Sequence, residues 1–173
     1  MRQQHGLTLR WTHFPLHPET PDSGLSLEEL FRGRGYDIEA MKQRMSGLMA
    51  EESLPYGTRT HTYNSRLAQE LSKWGESFPE GEALNQKLFE AYFVEGRNLA
   101  ELEVLLDIAE VVGLSREEAE GVIQERSFRD TVDTDWRRAY ELGVTGAPTF
   151  VSGNRGLVGA QPYEALEQLI QME

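Results

Sequence analysis

The chain has 173 residues, no cysteine, and a formal net charge of −12, from 17 Lys and Arg against 29 Asp and Glu. That length suits one domain, or one domain with a large insertion, and needs no covalent staple to hold its core. Without cysteine the chain holds no disulfide, thiolate metal site or cysteine nucleophile, and its acidic balance repels phosphate backbones and anionic lipid, so neither nucleic acid nor a membrane is expected as a partner.

The first six residues lack the apolar stretch of a signal peptide and no apolar run is long enough to span a bilayer, which makes cytoplasmic residence the default expectation. Residues 7–14 alternate in the strand sense, with Leu7, Leu9, Trp11 and His13 on one side, and predict one strand. Pro15, Pro18 and Pro21 then exclude regular structure to about Gly24. Ser26 and Glu29 have the spacing of a capping box and open a short helix ending near Gly33 or Gly35. Asp37 caps a second helix whose apolar stripe, Ile38, Met41, Met45, Leu48 and Met49, reads as adaptable core packing. Past an irregular connection over 54–63, Asn64 caps a helix carrying Leu67, Ala68, Leu71 and Trp74. Pro79 and Gly81 break that pattern.

Further helical spacing follows in Leu84, Leu88 and Tyr92, then in Leu102, Leu105, Leu106 and Ala109 up to Gly113. Ser115 and Glu118 repeat the capping-box spacing before a helix to about Gln124, and Val132, Trp136, Ala139 and Tyr140 mark another, with Gly143 at a left-handed cap. The final segment changes character. Residues 149–151 and 156–159 flank turn chemistry and predict a hairpin, and Pro162 opens a helix bearing Leu166, Leu169 and Ile170. This order predicts a small sheet domain from 1–24 and 143–173, interrupted by a helical domain over 25–142.

Few side chains form a pattern that carries chemistry. His13 and His17 straddle Pro15, so their spacing is off any helix and no metal site is expected. Adjacent glutamates such as Glu117 and Glu118 point apart on a helix and make poor acid–base pairs. No phosphate-binding glycine loop or nucleophile elbow occurs. Arg32 and Arg34 are the best basic patch, and two arginines flanking a glycine read as a solvated helix end. Trp74, Trp136 and the aromatics around Tyr92 sit at core spacing.

Several strings, in order and spread over nearly the whole chain, carry a family resemblance: FPLHP at 14–18, NSRLA at 64–68, AYFVEG at 91–96, VLLDIA at 104–109, GVTGAPTFV at 143–151 and GAQP at 159–162. Together they resemble the FrnE-like branch of the DsbA thioredoxin superfamily, which is related to 2-hydroxychromene-2-carboxylate isomerases and kappa-class glutathione transferases. The resemblance implies an α/β chain, an incomplete thioredoxin-like fold of three strands with a large all-helical insertion, and a protein disulfide oxidoreductase lineage. It also implies a cis bond before Pro148 and a peptide- or protein-substrate site at Thr145, Gly146, Ala147 and Pro148. The same cis bond would equally serve only to shape the turn into the strand.

Departure from the family lies at the front, where members carry a strand and a Cys-x-x-Cys motif at a helix start. Here residues 1–6 look like the end of that helix, and no cysteine follows. The chain is therefore expected to be redox-inactive, with no catalytic residue, and whether it is an enzyme at all is open. In the implied sheet the first strand lies between residues 7–14 and the hairpin, so its absence leaves two unpaired edges. The strand at 7–14 sliding onto the hairpin, a partner chain filling the slot, or an upstream segment would each cover them, and a homodimer is the expectation. Two alternatives stand beside this: a glutathione-dependent isomerase or transferase, with glutathione as the one candidate cofactor, and an N-terminally truncated form of an active dithiol oxidoreductase.

Overall fold

The computed structural model describes residues 2–171. They divide into two compact units, one of residues 17–129 and the other of the residues up to Leu16 together with those from Asp130 on.

In the 17–129 unit the elements run β1 (Leu25–Ser26), α2 (Leu27–Leu30), α3 (Ile38–Glu51), β2 (His61–Thr62), α4 (Arg66–Gly75), α5 (Gly81–Phe93), α6 (Leu102–Val111) and α7 (Arg116–Glu125). α2 starts where the capping box predicts: Ser26 Oγ accepts from the Glu29 amide while Glu29 accepts from the Ser26 amide. Asp37 caps α3 through the Ala40 amide, and Ser115 caps α7 through the Glu118 amide. β1 and β2 pair antiparallel, Leu25 with Thr62 and Ser26 with His61.

The core lies among α4 to α7, where Leu71, Leu84, Leu105 and Ile108 are fully buried and Trp74 nearly so. Glycine sets two of its closest approaches. A Cβ on Gly57 would stand 2.0 Å from the Val94 carbonyl oxygen, and one on Gly81 would stand 2.3 Å from that of Gly75. Both contacts are with backbone, which cannot yield as a side chain does.

Glu70 on α4 is also fully buried. Its carboxylate takes Arg66 Nε at 2.7 Å and a two-toothed grip from Arg126, Nε at 2.8 Å and Nη2 at 2.7 Å. Arg126 is the C-cap of α7 in a left-handed conformation, φ 55°, and Arg66 Nη2 donates to the Arg129 carbonyl at 2.8 Å. One carboxylate thus ties α4 to the end of α7. Burial pushes the Glu70 pKa up, but hydrogen bonds from Arg126 and Arg66 outweigh it and leave it below the ordinary glutamate value.

The other unit contains α1 (Arg2–His5), α8 (Arg129–Glu141) from Asp130 on, β3 (Thr149–Ser152), β4 (Arg155–Val158) and α9 (Tyr163–Gln171). Gly6 ends α1 at φ 61°. Tyr163 Oη on α9 donates to Gln4 Oε1 at 2.5 Å, and His5 Nε2 lies 3.2 Å from Glu167 Oε1. β3 and β4 form the expected hairpin, with Phe150 opposite Leu157 and Ser152 opposite Arg155. Gly153, φ 58°, takes the first of the two turn positions, the pattern of a type II′ turn.

Three expectations are corrected. Residues 7–14 form no strand: they pair with no other strand, and the His13 amide instead donates to the buried Asp135 carboxylate at 3.0 Å. The strands are accordingly not three in one sheet but two separate antiparallel pairs among the described residues. Ser65 stands at the N-cap position of α4 without a side-chain cap bond; the capping side chain is that of Asn64, as expected, which accepts from the Arg66 amide and also donates to the Thr20 carbonyl. The methionine stripe is not core either, since α3 buries no residue and Met41, Met45 and Leu48 are each at least 40% exposed. Periodicity showed the stripe. It could not show whether anything packs on it.

Candidate functional site

Thr145, Gly146, Ala147 and Pro148 run directly into β3, after Gly143 has ended α8 at φ 70°. Thr145, Ala147 and Pro148 are exposed and Gly146 is half-buried. The peptide bond between Ala147 and Pro148 is cis. Thr149 Oγ1 donates to the Gly146 carbonyl at 2.7 Å, which closes the loop on itself. That is the local role expected of a threonine hydroxyl here. Thr145 has no such bond among the described residues.

On the other side the Gly159 amide donates to the Pro148 carbonyl at 2.7 Å. This bond fixes the phase of the hairpin ladder. In an antiparallel pair, residues that exchange hydrogen bonds alternate with residues that do not. Pro148, Phe150 and Ser152 therefore turn their backbone groups toward β4. Thr149 and Val151 turn theirs away.

Along that outer edge of β3, among the described residues, no further strand is paired. The amide and carbonyl of Thr149 and of Val151 form a two-residue ladder directly after the proline loop. Apolar surface surrounds it: Phe150 is 37% exposed, Val151 45% and Val158 52%. An unpaired strand edge beside apolar side chains can take an extended peptide by main-chain hydrogen bonds, with specificity left to alternate side chains. The four loop residues were legible in the sequence. The edge groups of Thr149 and Val151 were not, because which residues face outward depends on the ladder's phase, which the Pro148–Gly159 bond reveals.

No group of His, Asp and Glu able to hold a metal ion occurs among the described residues, and no helix among them is long and apolar enough to cross a membrane. The loop and edge contain no thiol, imidazole or carboxylate. What they offer is hydrogen-bonding backbone and apolar contact.

The DSBA-like thioredoxin domain family matches residues 1–171, and the chain belongs to that family. A probable DsbA oxidoreductase from Streptomyces coelicolor shares 28% identity with it at a TM-score of 0.82, over 90% of this chain and 70% of that one. A 2-hydroxychromene-2-carboxylate isomerase superposes with a TM-score of 0.78 over 98% of this chain and 83% of that one, and at 21% identity it shows likeness of fold. The uncharacterised protein YwbO of Bacillus subtilis is 29% identical over 114 residues, 65% of this chain and 56% of its own length. The chain thus spans little more than half of that relative. Its fold is that of the DsbA-like thioredoxin proteins with a helical insertion.

Proposed function

We propose that this member of the DSBA-like thioredoxin domain family binds an extended polypeptide segment without thiol chemistry, along the loop of Thr145, Gly146, Ala147 and Pro148 and the outer edge of β3. The observation that carries the reading is the pair of outward-facing backbone units, Thr149 and Val151, on an unpaired edge that continues the proline loop. A bound segment would add a strand there. Its apolar side chains would meet Phe150, Val151 and Val158.

The absence of cysteine from the chain supports the second half of the reading. Thiol–disulfide exchange proceeds by attack of a thiolate on a disulfide sulfur, and the chain contributes neither. Kinship to oxidoreductases then accounts for the scaffold, and recognition of an unfolded segment is the part of their work that the remaining groups can do.

A backbone-resolved titration with an extended apolar peptide tests this. Saturable amide shifts at Thr149 and Val151 are expected, with the Phe150 and Ser152 amides, already bonded to β4, moving least. Insulin reduction by dithiothreitol should run no faster with the chain than without it. Peptide shifts absent at millimolar concentration, or confined to another surface, would remove the reading. Shifts at the loop with glutathione in place of the peptide would instead favour the glutathione-dependent alternative.

A further inference from the structure

In the 17–129 unit the charges of Arg59 and of Arg34, singled out in the sequence only as part of a basic pair, both act on His17. Phe31 links His17 and Arg34. The His17 ring meets it edge-on at 6.5 Å between centroids, and the Arg34 amide donates to the Phe31 carbonyl at 3.0 Å. Arg59 comes from the segment just before β2: Thr60, the next residue, accepts from the Leu27 amide at 3.0 Å, one turn before Phe31.

Arg59 is held by aromatic side chains. Its guanidinium carbon lies 5.3 Å from the Tyr92 ring centroid and 5.7 Å from that of Phe93, and Nη1 donates to Tyr92 Oη at 2.9 Å. Among the described residues neither Arg34 nor Arg59 has a carboxylate within ion-pair distance. Glu29, on α2, is committed to the Ser26 cap.

Three buried polar atoms of the same stretch have no hydrogen-bond partner: Arg59 Nε, Thr20 Oγ1 and Thr62 Oγ1. All three can donate. Thr20 follows His17 closely, its amide bonded to the His17 carbonyl at 3.2 Å, and Thr62 lies three residues beyond Arg59 on β2. A buried donor left unpaired forfeits the hydrogen bond it would make to water. The deficit here is of acceptors.

We propose that His17, Arg34 and Arg59 form a binding site for an oxyanion group, a phosphate or a carboxylate borne by a small ligand. An oxyanion accepts from several donors at once, and arginine against a preformed aromatic platform suits such recognition. Burial and the positive charges of Arg34 and Arg59 hold the His17 pKa below its ordinary value in the free protein. A bound anion reverses the second of these effects.

The test is a titration of the full chain with inorganic phosphate and, separately, with acetate, in low-chloride buffer, following the His17 ring and Arg59 Nε–H resonances. Saturable shifts are expected at both residues, with the His17 titration midpoint moving up when the anion is bound. Arg34→Gln, in an exposed turn, should weaken binding at least tenfold, and Arg59→Gln should do the same where its circular dichroism stays that of the parent. Tighter phosphate assigns a phosphate ligand, and tighter acetate a carboxylate. The proposal is overturned if neither anion gives saturable shifts up to tens of millimolar, or if Arg44→Gln on exposed α3 weakens binding as much as Arg34→Gln, since that would mark diffuse charge attraction.

Discussion

Replacing Glu70 with alanine is expected to destabilise the 17–129 unit by about 3–5 kcal/mol, the range for removing one partner of a buried ion pair. The change removes the one carboxylate that both arginines grip, and Arg66 is itself largely buried at 16% side-chain exposure. At roughly 2–4 °C per kcal/mol for a chain of this size, the thermal midpoint should fall by about 10 °C. Glutamine fills the same volume and still leaves both arginines facing an uncharged group, one half of which is a donor. It should recover only a minor part of the loss.

The pH dependence has a definite sign. Because the folded-state pKa of Glu70 is lowered, its contribution is fully present above the unfolded glutamate value of about 4.3 and is lost as pH falls through the folded value. The gap in urea midpoint between the parent and Glu70→Gln should therefore be smaller at pH 3 than at pH 7. An equal gap at both would show that the carboxylate's charge is not what matters.

Leu84→Ala is the second large expectation, at about 2–5 kcal/mol. Leu84 is completely buried on α5, facing Gly75 at the end of α4 so closely that a Cβ added to Gly75 would stand 2.5 Å from Leu84 Cδ2. The two positions should therefore be coupled. Gly75→Ala alone overpacks the contact, whereas in the Leu84→Ala background the new methyl group enters space that has been vacated. The double variant should be more stable than the sum of the single losses predicts, by about 0.5 kcal/mol or more. Additive urea midpoints would mean that the surrounding helices move to absorb the change.

The helices with dense apolar spacing were legible because periodicity and packing agree in them. Leu71 and Trp74 on α4, and Leu105 and Ala109 on α6, are buried as their spacing implied. So were the capping of α2 by Ser26 and the hairpin, whose chemistry is local. What failed depended on partners. Residues 7–14 alternate like a strand, yet a strand exists only where another pairs with it, and His13 finds the Asp135 carboxylate instead. The stripe on α3 looks like a core face and lies exposed. Glu70 was passed over among many glutamates, although its position between Leu67, Ala68, Leu71 and Trp74 is a signal that a charged residue is turned inward.

At the candidate site the sequence supplied the loop of Thr145, Gly146, Ala147 and Pro148 through resemblance. It did not supply the direction of the backbone groups that follow. Direction is a property of the ladder, and the ladder's phase is not written in residue types.

The central claim, recognition by main-chain hydrogen bonds at the β3 edge, is tested most directly by comparing peptide affinity in Val151→Pro and Phe150→Pro. Proline removes an amide donor in each. At Val151 the lost amide faces outward, so the account predicts a hairpin that keeps its β3–β4 cross-strand contacts while peptide binding falls at least tenfold; at Phe150 the hairpin itself should come apart. Undiminished binding by Val151→Pro with the hairpin intact would contradict the account.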